Sequence, residues 1–165
     1  MKIAIVSDSH DHMKNIEKFM QLANKKKFDA IIHCGDLCGP SAQILMSNIP
    51  FHFAFGNIDR GAFELYTKYA SNKNIHIYNP FGDIELDGKK IAFIHYPELA
   101  YGLACTKKYD AVFYGHNHLK KSEKVGDCLL VNPGPLNGFK YKHPEVKATY
   151  AIYDTKTNQV EIKNL

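Results

Sequence analysis

The chain is expected to adopt an α/β fold in which two β-sheets pack face to face as a sandwich flanked by helices. Three observations predict it. The first half repeats strand, loop and helix three times, as parallel βαβ units do. The second half changes to short strands joined by the turn signals Asp87-Gly88 and Gly126-Asp127, as hairpins are. The leading strand, Lys2-Ile-Ala-Ile-Val6, is continuously apolar rather than alternating, so it belongs to a sheet covered on both faces. The 165 residues are long enough for a substantial core and are expected to form one domain over 1–165.

Taken in order, residues 2–6 form the first strand, which ends in the polar loop Ser7-Asp8-Ser9-His10-Asp11-His12. Residues 15–26 have helical spacing, with Ile16, Phe19, Met20, Leu22 and Ala23 on one apolar face. A second strand over 29–33 ends at Cys34-Gly35-Asp36, and Gly39-Pro40-Ser41 opens a helix carrying Ile44, Leu45 and Met46. A third strand over 51–55 ends at Gly56-Asn57-Ile58-Asp59, followed by a helix over about 63–70. Short strands follow over 75–78, 82–86 and 90–95, the last ending on His95. A helix over 98–107 follows Pro97, and a strand over 110–114 runs into Gly115-His116-Asn117-His118. Hairpin strands are predicted over 122–125 with 128–131, and over 148–153 with 159–162. Between them lie the turn Asn132-Pro133-Gly134-Pro135 and a loop over 138–146.

Composition narrows the function classes. Hydrophobic residues make up 45% and charged residues 23%, an ordinary globular balance. No apolar run approaches the roughly 18 residues of a membrane span. The N-terminal apolar run meets Asp8 too soon for a signal peptide, which points to the cytoplasm and away from a membrane partner. The four cysteines, Cys34, Cys38, Cys105 and Cys128, contain no Cys-x-x-Cys pair, so reduced thiols are expected. Cys34 and Cys38 could be half of a zinc site, but a second pair is missing. The net charge of +4 is spread over small lysine groups at helix ends and turns. That describes a solvated surface that draws in an anionic substrate, without the basic face nucleic acid requires. A homo-oligomer is left open.

The chemistry lies at the strand ends. Five strands end in metal-type ligands: Asp8 and His10, then Asp36, then Asn57, then His95, then His116 and His118. Each alone has a plainer reading. Asp8 could cap the first helix, His10 and His12 could be solvated, Gly35-Asp36 and Gly56-Asn57 could be ordinary turns, and His95 could be a satisfied core histidine. Those readings are independent, whereas a ligand cluster requires all of them together, at strand ends, where open α/β sheets bind ligands. Seven ligands are too many for one ion and suit two ions that share a bridging carboxylate. Mixed imidazole and carboxylate donors favour Mn²⁺, Fe or Zn²⁺ over Mg²⁺ or Ca²⁺. Mn²⁺ is the expected activating ion, with Fe, Zn²⁺ and Ni²⁺ as alternatives.

The ordered set Asp8-Ser9-His10, Gly35-Asp36, Gly56-Asn57-Ile58-Asp59, His95 and Gly115-His116-Asn117-His118 resembles the calcineurin-like metallophosphoesterases. The short chain and the Asn132-Pro133-Gly134 turn resemble their compact bacterial and archaeal phosphodiesterase branch. The resemblance implies a four-layer α/β/β/α architecture and two divalent ions. Asp8, His10, Asp36 and His118 would hold one ion; Asp36, Asn57, His95 and His116 would hold the other, with Asp36 bridging. Asp36, Asn57 and His95 are also assigned to catalysis. The implied reaction is hydrolysis of a small phosphodiester or nucleotide by a hydroxide held between the ions.

Two positions depart from the superfamily. Ile58 stands where it often has a proton-donating histidine, and Tyr96-Pro97 replaces the second histidine of a His-Gly-His motif. General acid catalysis is worth roughly 10²–10⁴-fold, so a complete metal site with slower turnover, or a preference for good leaving groups, is expected. Asp11, His12 or Asp59 could supply the proton instead. A phosphomonoesterase or nucleotidase with the same site, and a non-catalytic scaffold like the retromer subunit of this fold, are the competing readings. A repair-type nuclease would need added domains and a basic groove. The segment Phe139-Lys140-Tyr141-Lys142-His143 alternates aromatic and basic residues and could line a nucleotide site; an exposed loop is the plainer reading.

Overall fold

A computed structural model describes residues 1–39, 49–59, 71–140 and 143–165. In chain order these make β1 (Lys2–Val6), α1 (Met13–Lys26), β2 (Ala30–His33), β3 (Phe51–Ala54), β4 (Ile75–Tyr78), β5 (Phe81–Leu86) and β6 (Lys89–Ile94). They continue with α2 (Pro97–Cys105), β7 (Ala111–Phe113), β8 (Lys121–Val125), β9 (Cys128–Asn132), β10 (Thr149–Asp154) and β11 (Gln159–Asn164). The helices expected after Pro40 and over 63–70 lie outside the described residues.

The strands form two sheets. One has the order β11-β10-β1-β2-β3-β4, the other β5-β6-β7-β9-β8. In the first, β1 to β4 run parallel, and β10 and β11 add an antiparallel edge. In the second, β6, β7 and β9 are parallel, and β5 and β8 flank them as the outer arms of the two expected hairpins.

Alternation along the strands sorts side chains into three interiors. Ile3 and Ile5 of β1 and Ile32 of β2 face Phe93, Phe113 and Val131 of the other sheet. The intervening residues Ala4, Val6 and Ile31 face outward, against Ile16, Phe19 and Met20 of α1. On the far side Ala92, Ile94, Val112 and Leu130 meet Ala100 and Ala104 of α2. The layers are therefore helix, sheet, sheet, helix. A fully buried ring such as Phe113 contributes about 1.5–3 kcal/mol by leaving water, and Phe113→Ala would cost about 3–5 kcal/mol with the cavity included.

Helix α1 buries Ile16, Phe19, Met20 and Ala23, spaced as one helical face. It is capped by His12, whose Nδ1 accepts the Asn15 N–H at 3.3 Å. Asp8, the alternative cap in the sequence, is instead fully buried. The helix stops at Lys27, whose left-handed backbone (φ 53°) ends the hydrogen-bond ladder, and Lys25 and Lys26 complement the negative helix terminus. Among the described residues no helix is long and apolar enough to cross a membrane. Because β1, β2 and β3 are adjacent and parallel, and β6, β7 and β9 likewise, loops from both sheets open at one end of the sandwich.

Candidate metal centre

The loops after β1, β2 and β3 in one sheet meet those after β6 and β7 in the other. They bring together all seven residues expected from the sequence: Asp8, His10, Asp36, Asn57, His95, His116 and His118. The sequence places donors at the ends of neighbouring strands, and the structure shows that both sheets contribute.

The backbone turns hard to do this. Asp8 (φ 53°), His10 (45°), Asp36 (58°), His116 (74°) and His118 (56°) all occupy the left-handed region. That conformation costs an L-residue about 1–2 kcal/mol, and the cost is borne where surrounding contacts over-determine the chain. Asp59 supplies many of them. Its carboxylate accepts the N–H groups of Asp36 (2.7 Å), Cys38 (2.8 Å) and Gly56 (2.7 Å), tying the loop after β2 to the loop after β3. Asp8 ties the two sheets together, its oxygens accepting the His116 N–H at 3.2 and 3.1 Å. Two glycines permit the close approach. A Cβ on Gly35 would stand 2.6 Å from His95 Nδ1, and one on Gly56 would stand 2.5 Å from the Asp36 amide nitrogen.

The donor atoms fall into two groups. In the first, His118 Nε2 lies 3.3 Å and His10 Nε2 3.9 Å from Asp8 Oδ1, and the two nitrogens are 3.0 Å apart. In the second, His95 Nε2 lies 3.3 Å from Asp36 Oδ2 and 3.1 Å from Asn57 Oδ1. His116 Nδ1 is 3.0 Å from the same Asn57 oxygen and 3.2 Å from His95 Nε2. Asp36 Oδ2 stands between the groups, 3.8 Å from His10 Nε2. Two donors held by one ion at about 2.1 Å, in tetrahedral to octahedral geometry, are about 3.0–3.4 Å apart. Several of the distances found here fall in that range. Asp8, His10 and His118 form one set that could hold a metal ion, and Asp8, Asp36 and His95 another.

Hydrogen bonds aim the imidazoles. His95 Nδ1 lies 2.8 Å from the Cys34 carbonyl, which can only accept, so Nδ1 carries the proton and Nε2 faces the cluster bare. His118 Nδ1 donates to the Phe139 carbonyl with the same result. Facing basic nitrogens repel unless a proton or a cation lies between them. Burial pulls the His118 and His95 pKa values down, yet both remain above the ordinary histidine value, held by Asp8 at His118 and by Asp36 and Asp8 at His95. At His10 burial prevails and the pKa falls. Burial would raise the Asp36 pKa, but His95, the Ile58 N–H and His10 together hold it low. Two carboxyl groups on a buried floor, Asp8 and Asp36, suit a positively charged guest.

Several supporting residues left little trace in the sequence. His33, read only as the end of a strand, is fully buried. Its Nδ1 accepts the Gly35 N–H (3.2 Å), so its Nε2 donates to Ser9 Oγ (2.9 Å). Burial holds its pKa down at about 3. Asn132, noticed only as part of a turn, donates to the Gly115 carbonyl and to Asn117 Oδ1, both at 3.0 Å, and so braces the His116–His118 fork. Its signal was the Asn-Pro-Gly turn directly after an apolar strand.

The positions that depart from the expected motifs are also clear. Ile58 is 42% exposed and contributes its N–H, to Asp36 Oδ1 at 3.2 Å, rather than its side chain. The Tyr96 ring centre lies 5.5 Å from that of His116. Asp11 accepts the Gly39 N–H at 3.0 Å. Burial pushes the Cys34 thiol up, and the Cys38 thiol up to about 12. No cysteine joins the donor groups among the described residues. Beside the cluster an open cleft of about 510 Å³ is lined by His10, His116, Asn117, His118, Asn137, Phe139 and Lys140.

Two stacked sheets with acidic and histidine donors at one end define a class, and residues 1–158 match the calcineurin-like phosphoesterase superfamily domain. The chain belongs to that phosphoesterase superfamily, which supports a hydrolase and implies divalent metal ions. It is 31% identical, over 96% of both chains, to a phosphodiesterase of Methanocaldococcus jannaschii. Its structure superimposes on that of an archaeal phosphodiesterase with a TM-score of 0.88, at 29% identity over 100% of both chains. Vacuolar protein sorting 29 from Cryptosporidium parvum is similar in fold alone, with a TM-score of 0.69 at 12% identity over 98% of this chain and 95% of that one.

Proposed function

We propose that this protein hydrolyses a phosphodiester bond with two divalent ions, Mn²⁺ being the activating one. The observation that carries the reading is the position of Asp36. One oxygen stands 3.3 Å from His95 Nε2 and 3.8 Å from His10 Nε2, with one donor set on each side. Asp8, His10, Asp36 and His118 would hold one ion, and Asp36, Asn57, His95 and His116 the other. Two such ions, when bound, lower the pKa of water towards neutrality and offset the charge on the phosphoryl oxygens.

The residues do the rest. Cys34 and Phe139 carbonyls keep the His95 and His118 Nε2 lone pairs aimed inward. Asp8 and Asp36 leave two dications under-neutralised, so an anionic ester is drawn in. Asp36, Asn57 and His95, which converge within 3.3 Å, are the residues assigned to catalysis. At position 58 no side chain can protonate the leaving oxygen, and the Asp59 carboxylate is engaged by three backbone N–H groups. Departure of the leaving group therefore draws no help from positions 58 and 59, which favours esters of weakly basic alcohols. A dianionic monoester would want a further cation beside His116, where this chain has the neutral ring of Tyr96. The phosphodiesterase name of the M. jannaschii relative supports the same choice.

The test is hydrolysis of a chromogenic phosphodiester and its matching monoester with Mn²⁺, then with chelator. Mn²⁺-dependent cleavage favouring the diester is expected. No cleavage of either ester by protein shown to contain metal would overturn the enzymatic reading and favour a scaffold.

A further inference from the structure

We infer that the cleft beside the donor cluster is a nucleoside subsite, with Phe139 as the surface on which the base of a nucleotide ester stacks. The inference rests on the phosphodiesterase reading and names its substrate class. Four observations converge on it. Phe139 is 60% exposed, a large ring left in water at the wall of the cleft. Its backbone is nonetheless fixed on both sides, its carbonyl accepting from His118 Nδ1 and its N–H donating to Asn137 Oδ1 at 2.9 Å. The backbone that carries the ring is therefore held at a set distance from the donor cluster, and its ordering cost is met before any ligand arrives.

The few polar groups in a largely apolar lining point the same way. Asn117 Oδ1 accepts from the Leu119 N–H and from Asn132 Nδ2, both at 3.0 Å. Asn137 Oδ1 accepts the Phe139 N–H. With their oxygens engaged inward, both amides keep their NH₂ donors for a ligand. Lys140 is the one lysine or arginine among the described residues that line the cleft. Hydrogen-bond donors, one cation and one aromatic face, next to a site for phosphate, suit a sugar, its phosphate and its base. The aromatic and basic alternation in the sequence thus has a use at Phe139 and Lys140, while Tyr141 and Lys142 lie outside the described residues.

The test compares adenosine 5′-monophosphate with ribose 5-phosphate, which lacks only the base, by calorimetric binding to the Mn²⁺-loaded protein. Stacking of one base on an aromatic side chain is worth roughly 5- to 150-fold. The wild type should bind the nucleotide at least about fivefold tighter, Phe139→Ala should bring the two affinities together, and Phe139→Trp should restore the difference. Because Phe139 reaches His118 through its carbonyl, Phe139→Ala should keep the wild-type metal content. Equal affinities in the wild type, or a ratio unchanged in Phe139→Ala, would overturn the inference. The two readings fail separately. Diester hydrolysis without base discrimination removes the subsite and leaves the activity, whereas base discrimination without hydrolysis leaves the subsite and removes the activity.

Discussion

Gly56→Ala is a sharp probe of the site because it adds one carbon where the loops after β2 and β3 touch. The new Cβ would stand 2.5 Å from the Asp36 amide nitrogen and 2.9 Å from Asp36 Cγ, with Oδ1 nearer still. An unstrained contact is about 3.5 Å, so something must move by roughly 1 Å. The backbone of 56–58 resists, since the Gly56 N–H is held by Asp59 at 2.7 Å and the Ile58 N–H reaches Asp36 Oδ1 at 3.2 Å. The displacement falls on Asp36, backbone and side chain together, and its carboxylate stands between the two donor sets. A misplacement of about 1 Å costs on the order of 10²-fold in turnover, while overpacking costs only about 1–3 kcal/mol of stability. Phosphodiester kcat/KM at saturating Mn²⁺ should therefore drop about 100-fold in a protein that still unfolds cooperatively, and equilibrium dialysis should show weakened Mn²⁺ binding. A folded Gly56→Ala protein with wild-type Mn²⁺ affinity and kcat/KM within about threefold of wild type would refute the central position of Asp36.

Two further outcomes follow from the structure. Ile58→His puts a proton donor where the side chain is 42% exposed beside Asp36, and should raise hydrolysis of diesters with strongly basic leaving groups by roughly 10²–10⁴-fold, with little gain for nitrophenyl esters; equal gains for both would argue against proton donation. The third concerns acid stability. His33 titrates at about 3 in the folded protein, against an ordinary histidine value of 6.5. Between these values the unfolded chain binds the extra proton, so the stability His33 contributes is complete above 6.5 and is lost as pH falls, by about 1.4 kcal/mol per pH unit. Urea unfolding of chelated wild type and His33→Gln should diverge below pH 6.5, the wild type losing about 2–3 kcal/mol more by pH 4.5; parallel profiles would refute the assignment.

The residues that bear donor atoms were legible in the sequence because their chemistry is carried by side chains at the ends of apolar runs. Asp8, Asp36 and His95 each interrupt such a run with a group that costs too much to bury without a partner. The two-sheet layering was legible from the change of texture near Ile75, where βαβ spacing gives way to hairpins. What was hidden is mostly backbone. The carbonyls of Cys34 and Phe139 set the tautomers of His95 and His118, and every residue has a carbonyl. Asp59 was weighed as a proton donor, but it serves as an acceptor for three N–H groups, a role that depends on two loops meeting in space. His33 is the last residue of a strand, as read, but only the folded loop after the neighbouring strand β1 brings its partner Ser9 to it.

The convergence of loops from both sheets has a consequence for how the site comes into being. One donor set joins Asp8 and His10 to His118, and the other joins Asp36 to His116, so each ties the first half of the chain to the second. No fragment shorter than residues 8–118 carries the whole centre. Ion binding is therefore a property of the finished sandwich, and mass action returns the favour, since a cation that binds only the folded form stabilises it. The ions would act as a late rivet between two sheets that hydrophobic burial has already stacked.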